Sequence, residues 1–155
     1  MVSAALRAIL TELECPADQI TTTELCVVEA INNVIEHAYR EQGGHSVALR
    51  ISAARGLLEL AVSDRGAAMP EGTLERARRF LQDQQRAPDA ALEVADLAEG
   101  GYGLSLILQV MDEVSYQRLG DENRLTMSMR VPAPSSEAVD PPRAALEPAG
   151  PRPTR

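Results

Sequence analysis

Two segments of the chain, at 45–63 and 113–131, carry apolar residues that alternate with polar ones on either side of a short turn. Alternation with a period of two, interrupted by Gly, Asn or Asp, predicts β-hairpins. The predicted strands are 45–53 and 57–63 around a turn at 53–56, and 113–119 and 124–131 around a turn at 120–123. The chain is therefore expected to build an antiparallel sheet.

Helical periodicity surrounds these hairpins, because apolar residues recur every three or four positions at 3–13, 22–40 and 103–111, and 72–86 is a more polar helix. Pro16 is expected to end the first helix. Thr21–Thr23 offer an N-cap for the second, and Gly43–Gly44 stop it. Its apolar side is expected to consist of Leu25, Val28, Ile31 or Asn32, Ile35 and Ala38. These elements predict an α+β fold, a two-layer α/β sandwich whose mostly antiparallel sheet is covered on one face by helices.

Composition changes after Val131, where a proline-rich stretch without apolar periodicity begins. Such a stretch cannot bury enough apolar surface to order itself. A length of 155 residues suits one domain. We therefore expect a domain at 1–131 and a disordered Pro-rich tail at 132–155.

The charge balance and the aromatic content exclude some classes of function. A net charge of −8 argues against nucleic acid as a main partner, since phosphate binding needs a basic face. Aromatic residues make up 3% of the chain, which argues against a surface that stacks bases or sugars on rings. Cys15 and Cys26 are expected to be reduced, buried residues, and no apolar run reaches the ~20 residues of a membrane span. The expected location is the cytoplasm.

Glu29 and Asn33 are four residues apart in the second predicted helix and so share one of its faces. An amide oxygen is a hard ligand for Mg²⁺, and a carboxylate one turn away can orient or deprotonate an attacking hydroxyl. This pair suits metal-assisted phosphoryl transfer. The alternative is that both are ordinary polar residues on the solvent side of an amphipathic helix.

Two glycine-containing motifs follow. Asp64 ends a predicted strand with Gly66 two residues on, where a carboxylate can accept a hydrogen bond from a base amino group while glycine lets a ligand approach the backbone. The Gly100–Gly103 turn precedes an apolar helix and can present backbone N–H groups to an anion. The alternatives are a common strand-ending turn and a flexible hinge.

The order of these motifs resembles the Bergerat-type ATP-binding fold of the GHKL superfamily: E-x-x-x-N on a helix, a hairpin, D-x-G after a strand, a long loop, and G-x-G opening a helix. On this resemblance the N-box is Glu29–Tyr39 (EAINNVIEHAY) and the first glycine box is Asp64–Gly66. The second glycine box is Gly100–Leu104 (GGYGL), and the ATP lid is 67–99.

Within that superfamily, ELCVVEAINNVIEHAY and EGGYGLSLI most resemble the RsbW-type anti-sigma-factor serine/threonine kinases, over about residues 5–131. The resemblance implies that Glu29 is the catalytic base, Asn33 the Mg²⁺ ligand and Asp64 the adenine contact. His37 is expected to pack near the site. Further nucleotide-binding residues implied by the resemblance are Gly66, Gly100, Gly101, Tyr102, Gly103 and Leu104.

The chain departs from the family pattern in its first glycine box. The sequence DRGAAMP has Ala68 where a second glycine is expected, and a positive φ there would be strained. Family members often start with a strand, whereas this sequence is expected to start almost directly with its first helix, which leaves monomer and homodimer both open. Of the four lid arginines Arg76, Arg78, Arg79 and Arg86, one could reach ATP phosphates, or all could lie on a solvated helix face.

The function implied by the resemblance is that of an ATP- and Mg²⁺-dependent serine/threonine protein kinase. Its partners would be a STAS-domain antagonist, which it phosphorylates, and a sigma factor or another regulator, in a bacterial partner-switching system. The altered DRGAAMP loop favours an alternative, a non-catalytic, nucleotide-dependent anti-sigma binding module. The catalytic domain of a histidine kinase is disfavoured, since Glu29 stands where those domains usually carry Asn and the chain has no room for a phosphoacceptor helix pair.

Overall fold

The computed structural model describes residues 2–86 and 101–132. The predicted tail from 133, Gly100 and the lid segment 87–99 lie outside the described residues. Helices and strands within the described part are, in chain order, α1 (Val2–Glu12), α2 (Ala17–Asn33) continued by a π-helical segment (Val34–Ala38), β1 (Ala48–Ala54), β2 (Leu57–Asp64), α3 (Thr73–Arg86), α4 (Gly101–Val110), β3 (Glu113–Leu119) and β4 (Glu122–Arg130).

The four strands form one antiparallel sheet in the order β1-β2-β4-β3. Arg55 and Gly56 make the two-residue turn between β1 and β2, both with positive φ, as hairpin turns that match the strand twist require. Leu58 and Leu60 are fully buried, and Met127 of β4 is buried beside them in the core shared with the helices. The predicted α+β class, with an antiparallel sheet packed on helices, is confirmed.

The second hairpin is tighter than predicted. Leu119 pairs directly with Glu122, so the turn consists of Gly120 and Asp121 alone, and Gly120 has a φ of 64°. Asn123, which the sequence placed in the turn, is therefore a strand residue, and only 2% of its surface is exposed. The prediction was wrong because the Gly-Asp-Glu-Asn run contains more turn-forming residues than the turn needs.

The second helix begins earlier than predicted, at Ala17, directly after Pro16. Thr21–Thr23 do not cap it. Their hydroxyls donate to carbonyl oxygens of the preceding turn, for example Thr23 Oγ1 to Gln19 O at 2.7 Å. Threonine can satisfy its hydroxyl in this way inside a helix, so its presence alone did not mark the start.

The buried face of α2 also differs from the predicted one. Leu25, Val28 and Ile35 are exposed, at 43%, 40% and 43% respectively. The residues that face the core are Ile20, Thr23, Cys26, Val27 and Ala30, followed by Val34 of the π-helical segment. Because α2 is apolar on more than one side, its periodicity fits two phases, and packing against the sheet and α4 selects one.

Both cysteines are free and buried, in keeping with the prediction. No helix in the described ranges is both long enough and apolar enough to cross a membrane.

Candidate nucleotide-binding site

A cavity of about 660 Å³ lies between the end of α2, the loop after β2, α3 and the start of α4. Asn33, His37, Asp64 and Leu104, four residues that the sequence singled out, line it. They come from three separate parts of the chain, so the fold brings motifs that are distant in sequence to one place. Its remaining walls include Val62, Ala67, Ala68, Met69, Thr73, Arg76, Phe80, Ser105, Tyr116 and Asn123.

Asn33 is the last α-helical residue before the helix widens into the π-helical segment Val34–Ala38. Tyr39 N donates to Val34 O at 3.0 Å, a bond that spans five residues. Such single π turns often lie at functional sites, because they re-aim the side chains around them. Here the half-buried Asn33 and the exposed His37 both face the cavity.

Glu29 lies one turn before Asn33 but is not among the described residues that line the cavity. It is half-buried, and its Oε2 lies so close to Gly103 of α4 that a side chain at 103 would collide with it. The N-box helix and the second glycine box therefore meet at this pair. The carboxylate sits at the first turn of α4, where the helix dipole favours negative charge.

Cys26 lies three residues before Glu29 in α2, and the charge of Glu29 acts on its thiol. Burial, and secondarily the charge of Glu29, raise the pKa of the Cys26 thiol to about 11. The thiol is therefore neutral at physiological pH and behaves as a small apolar residue.

Asp64 ends β2 and is buried, with 7% of its surface exposed. Its Oδ1 accepts two hydrogen bonds, from Gly66 N at 2.7 Å and from Asn123 Nδ2 at 2.8 Å. Within the described part of the chain, Oδ2 of Asp64 has no hydrogen-bond partner. Every fully buried side-chain oxygen there has one, so Oδ2 is not fully buried. Because Asp64 also lines the cavity, its Oδ2 is the oxygen open to a ligand.

Gly66 fixes how closely the loop after β2 approaches the end of the N-box helix. A Cβ at this position would lie 2.5 Å from Ala38 O and 2.7 Å from Ala38 Cβ. The next residue, Ala67, donates its N–H to the same Ala38 O at 2.9 Å. Glycine is required here because the loop and the helix end are in backbone contact.

Ala68 does not have the strained conformation that its substitution for glycine suggested. The non-glycine residues with positive φ in the described ranges are Glu14, Arg40, Glu41 and Arg55, and Ala68 is not among them. The loop thus takes a path that alanine accepts. Met69 N donates to Tyr116 Oη at 2.9 Å, which holds that path from β3.

The second glycine box lies in the first turn of α4 rather than before the helix, since α4 starts at Gly101. Gly103 contacts Glu29, and the buried Leu104 lines the cavity. Gly101 and Tyr102 contribute the backbone of this turn, and Gly100 lies outside the described residues.

The lid arginines divide by position. Arg76 lines the cavity and is anchored to the start of α3, where its Nη2 donates to Thr73 Oγ1 at 2.7 Å. Arg78 turns away and donates from Nη2 to Val114 O at 2.6 Å. Arg79 and Arg86 are exposed and do not line the cavity. Arg76 is thus the one of these four that faces the site.

Sequence reasoning gave no role in the site to three side chains that hold it together: Tyr39, which it named only as the end of the N-box, Tyr116 and Asn123. Tyr39 is buried, accepts the N–H of Arg65 at 3.0 Å and donates to Ser46 O at 2.9 Å, while its ring stacks on His45. Tyr116 donates to Asn123 Oδ1 at 2.8 Å. The sequence carried no signal for Asn123 beyond a turn propensity that pointed elsewhere.

Comparison with known proteins places this chain in a family. Residues 1–129 match the profile of the histidine kinase-like ATPase domain. The chain belongs to this ATPase-domain family. The resemblance drawn from the N-box and the glycine boxes is confirmed at this level.

Relatives of this ATPase-domain chain include serine-protein kinases. The serine/threonine-protein kinase BtrW of Bordetella bronchiseptica is 31% identical over 69% of this chain and 68% of its own length. The serine-protein kinase RsbW of Bacillus subtilis is 30% identical over 76% of this chain and 69% of its own length. The histidine kinase domain of a blue-light activated kinase from Erythrobacter litoralis EL346 is 22% identical, with a TM-score of 0.47 over 74% of this chain and 48% of that one. The family implies the use of ATP.

Proposed function

We propose that this chain is an ATP- and Mg²⁺-dependent serine/threonine protein kinase and anti-sigma-type regulator whose substrate is a STAS-domain antagonist. The observation that carries the proposal is the meeting of the N-box and both glycine boxes around one cavity, with Glu29 against Gly103 and with Asn33 and Asp64 on its wall. The similarity to kinases named as serine/threonine- and serine-protein kinases supports a hydroxyl side chain as the acceptor.

The residues present fit a nucleoside triphosphate. The cavity volume lies within the range of about 300–1,000 Å³ that is usual for small-molecule sites. Asp64 lines the cavity and offers an open carboxylate oxygen for the amino group of a nucleotide base. The first turn of α4 supplies backbone N–H groups for phosphate oxygens.

Each side chain has a distinct task in the proposed reaction. Asp64 binds the adenine ring of ATP, and Asn33 offers its amide oxygen to Mg²⁺. Arg76, in the lid, offers its guanidinium group to the phosphates. Mg²⁺, when bound, neutralises charge on the phosphates. Glu29 accepts the proton of the attacking serine hydroxyl. Since ATP is the substrate, the proposed location is the cytoplasm.

One observation favours a second function, a nucleotide-dependent binding module without catalysis. Glu29 does not line the cavity of the described residues, because its carboxylate is occupied against Gly103. A base in that position needs either a rearrangement of α4 or an acceptor serine that reaches it from outside the cavity.

A transfer assay separates the two functions. The full chain is incubated with ATP labelled on the γ-phosphate, Mg²⁺ and purified STAS-domain proteins, and melting temperature is followed in parallel. Acid-stable label on one STAS protein supports the kinase, and stabilisation by ATP without label supports the binding module. A saturating ligand adds about 2.7 kcal/mol at 100 times its dissociation constant, so binding itself will be visible.

A further inference from the structure

Asn123 is a buried polar side chain whose hydrogen-bonding capacity is fully used. Its Nδ2 donates to Asp64 Oδ1 at 2.8 Å and lies 3.2 Å from both Gly66 O and Ala67 O. Its Oδ1 accepts from Tyr116 Oη at 2.8 Å and from Arg118 Nη1 at 2.7 Å. Donors surround one end of the amide and acceptors the other, so its orientation is fixed.

The bond to Asp64 follows from the register of the sheet. Asp64 and Asn123 are direct partners on β2 and β4, and Arg118 of β3 is the partner of Asn123 on the other side. Side chains of directly opposed residues project to the same face and come within reach of each other. The three polar residues therefore form one row across the sheet, at the edge of the cavity.

Tyr116 determines the orientation of the side-chain amide of Asn123. Its oxygen accepts the N–H of Met69 at 2.9 Å, so its own proton is available for Asn123 Oδ1. That contact directs the amide N–H group of Asn123 towards Asp64. The row thereby connects the loop after β2 to both strands of the second hairpin.

We propose that Asn123 is a positioning residue that makes the site selective for adenine, with Tyr116 as its support. The inference rests on the proposed binding of ATP, with Asp64 facing the base. Asn123 and Gly66 N–H together hold Oδ1, so the carboxylate cannot rotate and Oδ2 stays directed into the cavity. A fixed carboxylate oxygen accepts from an exocyclic amino group and repels the carbonyl that hypoxanthine carries at the same place.

Removal of the Asn123 side chain should reduce the preference for adenine over hypoxanthine and leave the phosphate side of the cavity unchanged. The carboxylate then keeps one donor, Gly66 N–H, and can rotate or take up water. Binding of ATP is expected to weaken about tenfold, as a lost hydrogen bond to a charged group predicts, while binding of inosine triphosphate changes little.

The experiment compares the Mg²⁺ complexes of ATP and inosine triphosphate by titration calorimetry, in the wild-type full chain and in Asn123→Ala. Ser128→Ala, on the same strand and far from Asp64, is the matched control. The expected result is that the wild type prefers ATP at least tenfold and that Asn123→Ala loses about tenfold of this preference, whereas Ser128→Ala keeps it. The ratio of the two affinities reports on the positioning of Asp64, since a general loss of structure would weaken the binding of both nucleotides alike.

Two outcomes would overturn the inference: an unchanged ratio in Asn123→Ala, or an equal loss for both nucleotides. If Asn123→Ala does not fold, Tyr116→Phe takes its place, because it keeps the ring and removes only the hydroxyl; an unchanged ratio there also counts against the inference. A wild type that binds neither nucleotide contradicts the proposed function itself. A wild type that binds both equally leaves ATP binding standing and removes the selective role of Asn123.

Discussion

The carboxylate of Glu29 rests against Gly103, so that the E-x-x-x-N helix and the second glycine box are in direct contact. Glycine at 103 lets Glu29 Oε2 keep this place, because any side chain there would occupy it. The contact fixes where the proposed base sits relative to the first turn of α4. It also gives a way to move that carboxylate without removing it.

Gly103→Ala should displace Glu29 at small cost to the fold. The atom in the way is the far end of a flexible side chain, and alanine is a better helix former than glycine by about 1 kcal/mol. We expect the free energy of unfolding to change by less than ~1 kcal/mol while phosphate transfer falls markedly. Urea titration and the transfer assay measure the two effects, and full transfer activity in a folded Gly103→Ala would contradict the role given to this contact.

Glu29→Gln should separate binding from transfer. The substitution keeps the shape of the side chain and removes its ability to take a proton, so transfer is expected to fall by about 10²–10⁴-fold with the ATP affinity nearly unchanged. Glu59→Gln, on the exposed side of β2, serves as the control. Normal transfer by Glu29→Gln would rule out the base assignment.

Asn33→Ala should weaken binding of ATP only when Mg²⁺ is present. Loss of the amide oxygen removes the proposed metal ligand, and an effect of at least about tenfold is expected. Asn32→Ala is a matched control, because Asn32 is the exposed neighbour of the half-buried Asn33 and does not line the cavity. The measurement is calorimetric titration with Mg²⁺ and again with EDTA; an equal loss in both conditions would speak against metal binding at Asn33.

Gly66→Ala should destabilise the protein, because the new Cβ meets backbone atoms of Ala38 that cannot move independently. Overpacking of this kind costs about 1–3 kcal/mol, and the loop that follows Asp64 should shift with it. Gly43→Ala is the control, since that glycine has open space around it and no positive φ. Thermal unfolding of both variants checks the difference, and equal melting temperatures would show that the contact is less tight than described.

Stability should fall as pH rises from about 9 towards 11. Burial and the Glu29 charge raise the pKa of Cys26 from 9.0 to about 11, so over this window the native state holds a proton that the unfolded chain has lost. The contribution of this thiol to the free energy of unfolding is fully present below pH 9 and is lost as the pH approaches the pKa of the thiol in the folded protein. Urea unfolding at several pH values should give a shallower decline in Cys26→Ala than in the wild type, and parallel declines would exclude this thiol as the cause.

The sequence by itself determined most of the architecture. Alternating residues in β1 and β2, closed by Arg55-Gly56, could form little other than a hairpin, because period-two patterns and turn residues act locally. The same local logic found the helices and the positions of Asp64, Gly66 and Gly103. Whether Glu29 and Asn33 were a solvated stripe or part of a site could be judged only from the order of motifs along the chain.

Only the tertiary structure decided which side of α2 is buried and what holds Asp64. Leu25 and Val28 looked like core residues, yet Cys26 and Val27 are the buried ones, because an apolar helix fits more than one phase and its packing partners choose between them. Asn123 looked like a turn residue until the register of β4 placed it opposite Asp64. A hydrogen bond between residues 59 positions apart depends on strand pairing, so local sequence patterns do not predict it.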